Sequence, residues 1–543
     1  MITGYTFRPF VFFSIFIFSV VSASCGLVEE RIDRAAGGAN LPADTKIELR
    51  ADSTEPPEKT VARTLPSGPL KVTVGEAILM CLENNRALAV QRLNPSIQQT
   101  YEDQERAVFD PVTGAEVSAG ELRGERLARS GSETESYTTT QAEGIIYLEQ
   151  YFPTGTTVDL EAGSSMTDSS LYDDSFYQTR LGMTVIQALL RGYGRDVNLV
   201  RLRQARLDTR ISEYELRGFT ESLVAELELT YWDYALAGRQ IEIVEESLKV
   251  ARQQLNETKA LIDVGRLARV ELAAVQAEVA AQEQALIEAE ANKQSTRLQL
   301  LRLLNPGGIG IWQREVDLVH QPTLPDIPLE DVELHVEVSM RMRPLLNEAR
   351  LEILRNEFEL VETRNGLLPL LDLFITLGKS GYANSFGDSI GDINNNSYDT
   401  MAGVNINYPV SNRNAKARHR RALLDQEKVQ YALENLSQLV EVDVRTAYIE
   451  VTRAKQQIEA SSATRRFDEE KLRTETEKLR VGKSTSFLVA QAQRDLLVSR
   501  IAEVRALAGY LQALTELYRL DGTLLVRRGV AAPGREPVKI SVH

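Results

Sequence analysis

The stretch from DVNLVRLRQARLD (residues 196–208) to QLLRLLNPGG (residues 299–308) decides the fold of this 543-residue chain. From Asp196 to Leu303 it holds no proline, and its glycines stand alone at Gly218, Gly238 and Gly265. Within it, Leu223, Leu227, Tyr231, Tyr234, Ala237, Ile241, Val244, Leu248, Ala251, Leu255, Thr258 and Ile262 recur at spacings of three and four. That period, near 3.5, fits an α-helical coiled-coil seam better than a surface helix. The pattern stops at Asp263-Val264-Gly265-Arg266, where glycine can take the left-handed conformation that ends a helix and turns the chain back. Asp196–Ile262 is 67 residues long, so the arm reaches about 100 Å at about 1.5 Å per residue.

Upstream of this arm the period falls to two. Val158, Leu160 and Ala162 alternate with Thr157, Asp159 and Glu161, giving one apolar and one wet face. Pro153-Thr154-Gly155 joins this run to Ile145–Phe152, and Thr179–Gln187 offers a further strand. Earlier still, ordered structure is expected from Val72, with Thr73 as a helix cap and a helical stretch ending near Phe109-Asp110-Pro111. Downstream, Asn305-Pro306-Gly307-Gly308 and the prolines at 322, 325 and 328 make a connector, after which the programme restarts. A helix is expected from about Glu330 to Gly366. Alternation follows at Leu371, Leu373, Ile375 and Leu377, then a loop over 378–397, alternation at Val404, Ile406 and Tyr408, and a proline-free run from Val410 to Ala532.

The restart is an internal repeat. At a constant offset of 217 residues, Arg201–Asp208 lies over Arg418–Asp425, Tyr231 over Tyr448, Val264-Gly265 over Val481-Gly482, and Arg302-Leu303 over Arg519-Leu520. Before the strands the offset is 257 to 258, pairing Arg86 with Arg343 and Pro111 with Pro369, so the first copy carries about 40 extra residues in its strand region. Each copy reads helix, strands, long helix, Val-Gly turn, returning helix, and cannot bury its seam alone. The two copies supply four strands, or up to six if the extra segment adds a hairpin. Either number falls below the roughly eight needed for a closed single-chain membrane barrel. Open edges cannot sit in lipid, so lipid-facing strands would require several chains to share one barrel.

Formal charge is −15 with no block of six like charges, which leaves a nucleic-acid partner without an electrostatic footprint. Cys25 and Cys81 suggest no disulfide framework, and His320, His335, His419 and His543 show no metal spacing; no cofactor is expected. At the N-terminus, Arg8 precedes the apolar run Phe10–Val21, and Ser22-Ala23-Ser24 leads into Cys25. This is the pattern of a secretory signal peptide, and the run is too short for a membrane span of about 20 residues. The cysteine after small residues resembles a bacterial lipobox, which makes Cys25 a lipidation candidate, although Ser22 stands where a branched apolar residue is usual; ordinary cleavage is the alternative. The divisions expected are a signal peptide over 1–24, an extended tail over 25–68, repeats over 69–320 and 321–530, and a C-terminal tail over 531–543.

The tandem repeat, the paired Val264-Gly265 and Val481-Gly482 turns and the helix start AILMCLENNRAL (residues 77–88) together resemble the TolC-like outer-membrane efflux protein family, over roughly residues 70–525. The resemblance implies a mainly α fold with a β-barrel portion. It implies a homotrimer in which each protomer gives four strands to a shared twelve-stranded barrel in outer-membrane lipid, and long antiparallel helices to a tunnel through the periplasm of a Gram-negative cell. It also implies partners, a periplasmic adaptor and an inner-membrane transporter, met at the helical tips. Those tips are Val264, Gly265, Arg266 and Leu267 in the first copy and Val481, Gly482, Lys483 and Ser484 in the second. The family often carries acidic residues six positions after the tip glycines, closing the periplasmic entrance. Here those positions hold Glu271 and Leu488, a departure in the second copy. A ring of Glu271 would hold a cation or disfavour anions and a ring of Leu488 would dewet; a solvated helix-face carboxylate is the equal alternative for Glu271.

Catalysis finds no support. Gly482-Lys483-Ser484 imitates the end of a phosphate-binding loop, but Glu477 occupies the place of its first glycine and no strand precedes it. Glu245-Glu246 and Asp468-Glu469-Glu470 lie on helices, where such charges are usually solvated. The expected function is therefore a passive export conduit, with a secreted structural coiled-coil or adhesion protein as the rival.

Overall fold

A computed structural model describes residues 68–127, 131, 133–306, 310–324 and 328–539. The signal segment, Cys25 and all but the end of the 25–68 tail lie outside the described residues. The chain opens with strand β1 (Leu70–Val72) and helices α1 (Val74–Asn84), α2 (Arg86–Gln91) and α3 (Leu93–Ala107). Four long strands follow: β2 (Val112–Leu127), β3 (Thr134–Phe152), β4 (Thr156–Ser169) and β5 (Phe176–Ala188). Next come the long hairpin of α4 (Val200–Asp263) and α5 (Glu271–Leu304) and a short strand β6 (Val316–Leu318). The second copy has α6 (Val332–Met342), α7 (Pro344–Asn365), β7 (Leu370–Ala383), a short helix α8 (Phe386–Asp392), β8 (Tyr398–Asn407), and the hairpin of α9 (Arg413–Arg480) and α10 (Ser486–Leu520).

At 64 and 68 residues, α4 and α9 each reach about 100 Å. The seam read from the sequence is the buried stripe of α4. Leu223, Leu227, Tyr231, Tyr234, Ala237, Val244, Leu248, Ala251 and Thr258 are buried, and Ile241, Leu255 and Ile262 are half-buried. Around the middle of the hairpins lies the main core, where β1 and β6 pair in parallel against α4 and α5. Tyr231 and Tyr234 bury their rings there and donate their hydroxyls to Val72 O (3.3 Å) and Val316 O (2.8 Å), which satisfies the phenols inside an apolar cluster. Cys81 is fully buried in this core, and burial pushes its thiol up to about 12, so it behaves as a small apolar group. Thr73 forms the capping box with Glu76 that its position suggested.

Three expectations change. The single helix foreseen over 330–366 is two, because Pro344 has no N–H to give and holds Arg343 in an extended conformation (ψ 123°). The loop expected over 378–397 contains the end of β7 and all of α8, and stops just short of β8. Most consequential, the sheet has six strands in the order β2-β3-β4-β5-β7-β8, all antiparallel: the upper of the two numbers left open by the sequence, and two more than the four that the family resemblance implied. The extra residues of the first copy form a hairpin in register with the rest.

The registers divide this sheet into two faces. Ala115, Ile146, Ala162 and Leu181 stand in one row, with Leu148, Leu160, Met183 and Leu377 in the next. Val185, Ile375 and Ala402 then Leu373 and Val404 continue the same face to the far edge. On β7 these apolar residues are exposed while Phe374 and Thr376 between them are half-buried. The opposite face carries Glu116, Glu143, Glu149, Asp159, Glu161 and Asp372, with Arg180 bonded to Asp399 at 2.9 Å. Among the described residues no helix is long and apolar enough to cross a membrane.

The C-terminal segment straps the two copies together. Arg217, buried on α4, donates to Glu221 (3.1 Å) and to the carbonyls of Gly522 and Gly534 (3.2 Å each). Glu228, also fully buried, accepts from Arg528 (2.6 and 2.7 Å) and from Thr515 (2.9 Å). Removing one side of such a pair strands a charge in a low-dielectric site. Arg528→Ala should therefore lower unfolding stability by about 3 kcal/mol, whereas Glu228→Gln combined with Arg528→Met should recover most of it. Denaturant titration of the detergent-solubilised protein measures both, and a loss below about 0.5 kcal/mol for Arg528→Ala would show that the strap does not depend on this pair.

Candidate functional site: the paired helical tips

The two tips use one backbone device. At the first, the N–H of Gly265 bonds to Ile262 O (2.9 Å) and that of Arg266 to Leu261 O (2.8 Å). At the second, Gly482 bonds to Leu479 O (3.0 Å) and Lys483 to Lys478 O (2.8 Å). Both are Schellman closures, and they demand a left-handed residue, which the φ values of +75° at Gly265 and +71° at Gly482 supply. A Cβ at either glycine would meet nothing within 4 Å, so backbone conformation alone selects glycine there. The second turn is braced by Ser484, whose hydroxyl donates to Glu475 (2.6 Å). Together with a bond from Lys478, this holds the Glu475 carboxyl below the usual carboxylate range.

Around the turns the surface is apolar and basic. Val264, Val270, Val481, Phe487 and Leu488 are exposed, and Arg266 and Lys483 lie among them in the open. Leu267 and Ser484 are half-buried. The residues expected at the tips are thus all present on or beside the two turns.

Glu271 is not a free-standing carboxylate. Its Oε2 accepts from the backbone N–H of Ser486 at 2.9 Å, across 215 residues, at the first turn of the 35-residue helix α10. A negative group there satisfies one of the four orphan amides and meets the positive end of the helix dipole. The first tip is thereby tied to the second, while Leu488, its counterpart, stays exposed. Two turns further along α5, Glu278 is fully buried, accepts from Gln282 (2.7 Å), and has the Arg494 guanidinium of α10 at 3.3 Å. Sequence reading missed the partnership of Glu278 and Arg494; the available signal was that Glu278 follows Glu271 by seven residues on one helix face. Among the described residues no group of three or more His, Cys, Asp or Glu is arranged to hold a metal ion. His335 is bonded to Asp521 at 2.8 Å, far in sequence from either tip.

A family model described as outer membrane efflux protein matches residues 151–306 and 339–523. No curated protein matches the chain. Among solved structures it is similar to the CmeC outer membrane channel of Campylobacter jejuni, at 14% identity over 83% of this chain and 86% of that one, with a TM-score of 0.61. The outer membrane protein VceC of Vibrio cholerae is similar at 14% identity over 83% and 96%, with a TM-score of 0.59. The open state of the MtrE outer membrane channel of Neisseria gonorrhoeae is similar at 18% identity over 83% and 89%, with a TM-score of 0.55. These likenesses are of fold. With both repeats matched by the family model, the chain belongs to the outer membrane efflux protein family.

Proposed function

We propose that this chain forms a homotrimeric channel-tunnel that carries efflux or secretion cargo across the periplasm and outer membrane of a Gram-negative cell, working with a periplasmic adaptor and an inner-membrane pump. The observation that carries this reading is the sheet: one continuous apolar face, one acidic face, and two open edges, mounted on hairpins about 100 Å long. The apolar face suits lipid, the acidic face suits water, and the open edges call for further copies of the chain.

The exposed apolar and basic surface around Val264, Gly265, Arg266 and Leu267, and around Val481, Gly482, Lys483 and Ser484, is the adaptor-binding end in this reading. Transport involves no bond chemistry, and the moving part is the tip. Glu271 holds the tips together by capping α10, so opening has to break or carry along that contact.

Reconstitution of the purified trimer in planar bilayers tests the reading. The expected outcome is a defined conductance that favours potassium over chloride several-fold, because the wet face carries Glu116, Glu143, Glu149, Asp159, Glu161 and Asp372. A soluble assembly with no conductance would instead fit a secreted structural protein.

Glu271→Ala removes a helix cap worth about 1 kcal/mol, so it should raise open probability about fivefold, with Glu271→Gln in between. Single-channel records read this directly, and unchanged dwell times in both variants would remove Glu271 from the gate. Gly265→Val and Gly482→Val force a β-branched residue into left-handed backbone, at about 1–3 kcal/mol of strain each. They should impair export in cells while leaving membrane insertion intact; normal export would count against a role for the tips.

A further inference from the structure

We infer that each protomer contributes six strands, so that the trimer closes an eighteen-stranded barrel in which β2 of one copy pairs with β8 of the next. The inference rests on the membrane-channel reading above and goes beyond it in naming the joining surface and the number of strands.

Three observations carry it. First, the added hairpin is part of the same ladder: β2 pairs with β3 over its whole length, from Val112↔Glu149 to Leu127↔Thr134, and β3 pairs with β4 from Thr139↔Ser169 to Phe152↔Thr156. Second, the apolar face does not stop at β4. It continues through Leu148, Ile146 and Ala142 of β3 to Ala115, Val117 and Ala119 of β2, with Val117 86% exposed at one edge and Ile406 70% exposed at the other. Beyond this band, β2 and β3 run on into Glu121, Arg123, Thr138 and Thr140, which suits strands that leave the bilayer.

Third, the hairpin is clamped at the same base as the other strands. The turn between β3 and β4 is bonded to the start of the long helix: Asn198 donates to Pro153 O (3.1 Å) and Gly192 O (2.8 Å), and the Gly194 N–H bonds to Thr154 O (3.1 Å). Gly155 (φ +84°) comes so close that a Cβ would lie 2.2 Å from Gly192 O, so only glycine fits. Phe109, just before β2, stacks on Tyr151 of β3 at 5.9 Å and packs on Leu199 and Leu202. The base of each added strand is therefore seated at the start of α4.

An extra hairpin seated at this level and apolar on the lipid side leaves β2, not β4, as the free edge. In lipid that edge has to be paired. The order and direction of the strands make β8 of a second copy its complement: β2 and β8 bound one antiparallel sheet of even strand number, so they run in opposite directions and close without a parallel seam. Barrel diameter grows roughly linearly with strand number, so eighteen strands give about 1.5 times the width of twelve, or about 36 Å between backbones. A bore of that width leaves the size limit on cargo to the helical end.

Disulfide formation between copies tests the assignment. In the full chain, expressed in cells and oxidised in outer-membrane fractions, Val404→Cys on β8 is combined with Ala115→Cys, Val117→Cys or Ala119→Cys on β2. A second series combines it with Val158→Cys, Leu160→Cys or Ala162→Cys on β4. Adjacent strands place Cα atoms within the roughly 4.4–6.8 Å that a disulfide needs, while β4 would lie three strand spacings, about 14 Å, from the neighbouring β8. The wild-type chain, with Cys81 buried, is the blank. The expected result is linked dimers and trimers at least fivefold above the blank in one or more β2 pairs and none in the β4 series. Linkage in the β4 series alone would establish a twelve-stranded barrel with β2 and β3 outside it. Trimers on native gels with no linkage in either series would show that these edges do not meet. Absence of any trimer from the membrane extract would overturn the channel reading itself, a result distinct from the other two.

Discussion

A backbone N–H or C=O left unpaired in hydrocarbon costs several kcal/mol, and most of this architecture follows from that penalty. The sheet presents a 16-residue edge at β2 and a 10-residue edge at β8, with an outward apolar band at Ala115, Val117 and Ala119 on the first and Ala402, Val404 and Ile406 on the second. In water such edges invite aggregation; in lipid they are intolerable. The same penalty fixes the even number of strands, since closure of an antiparallel sheet on copies of itself requires the two edges to run in opposite directions. The helices carry no such debt, because each satisfies its own backbone along its length. That is why one chain can complete a hairpin about 100 Å long but not a barrel.

Sheet and helices have to be joined where the period of the backbone changes from two to 3.6. Beside the small apolar cluster of Phe109, Leu199 and Leu202, the junction uses polar side chains and glycines. Asn198 fills two carbonyls, Asn365 accepts from Gly192 N–H (2.8 Å), and Asn412, itself left-handed at φ 43°, donates to Leu367 O (3.2 Å). Asparagine suits the task because its amide can satisfy backbone groups that neither helix nor ladder reaches. The packed core sits elsewhere, around Tyr231, Tyr234 and the β1–β6 pair, so the hairpins are anchored at mid-length and their tips carry little burial.

What could be read from the sequence was what repeats locally. The seam of α4 is dense enough in Leu, Tyr and Ala to show its period, and the constant offset of 217 residues turned an isolated glycine stop into a duplicated tip. Strand β2 escaped notice because its outward residues run Thr113, Ala115, Val117, Ala119, then Glu121, Arg123 and Glu125, so apolar alternation hardly registers there. Pro344 was visible, but a proline at the first position of a helix and one that divides a helix look alike without the neighbouring turn. Glu271 could be placed near a gate only through the family resemblance. Its bond to Ser486 spans 215 residues and depends on how two hairpins lie together, which no local period encodes.

The two hairpins share a plan but not a chemistry, and this bears on which of them yields. Leu248 and Ala251 make the first seam apolar, and both are buried. Their counterparts are Arg465 and Asp468, and there Arg465 binds Glu469 (2.9 Å) and Glu503 (2.6 Å), Lys471 binds Asp495 (2.7 Å), and Arg500 reaches across to Glu246 of the first hairpin (3.1 Å). Burying an apolar side chain contributes about 1.5–3 kcal/mol and is lost on separation. A partly exposed ion pair contributes about 0–1 kcal/mol and can exchange partners as helices slide. Toward the tip the second hairpin is therefore held by contacts that tolerate displacement, where the first has contacts that resist it; nearer mid-length the second is apolar too, around Val444, Val451, Tyr510 and Leu517. The carboxylate of Glu271, on the resistant hairpin, grips the first turn of α10, on the compliant one. In the proposed channel the first hairpin is then the more fixed side of the tip and the second the more mobile, joined by the Glu271–Ser486 bond and, further from the turns, by the Glu278–Arg494 and Glu246–Arg500 pairs.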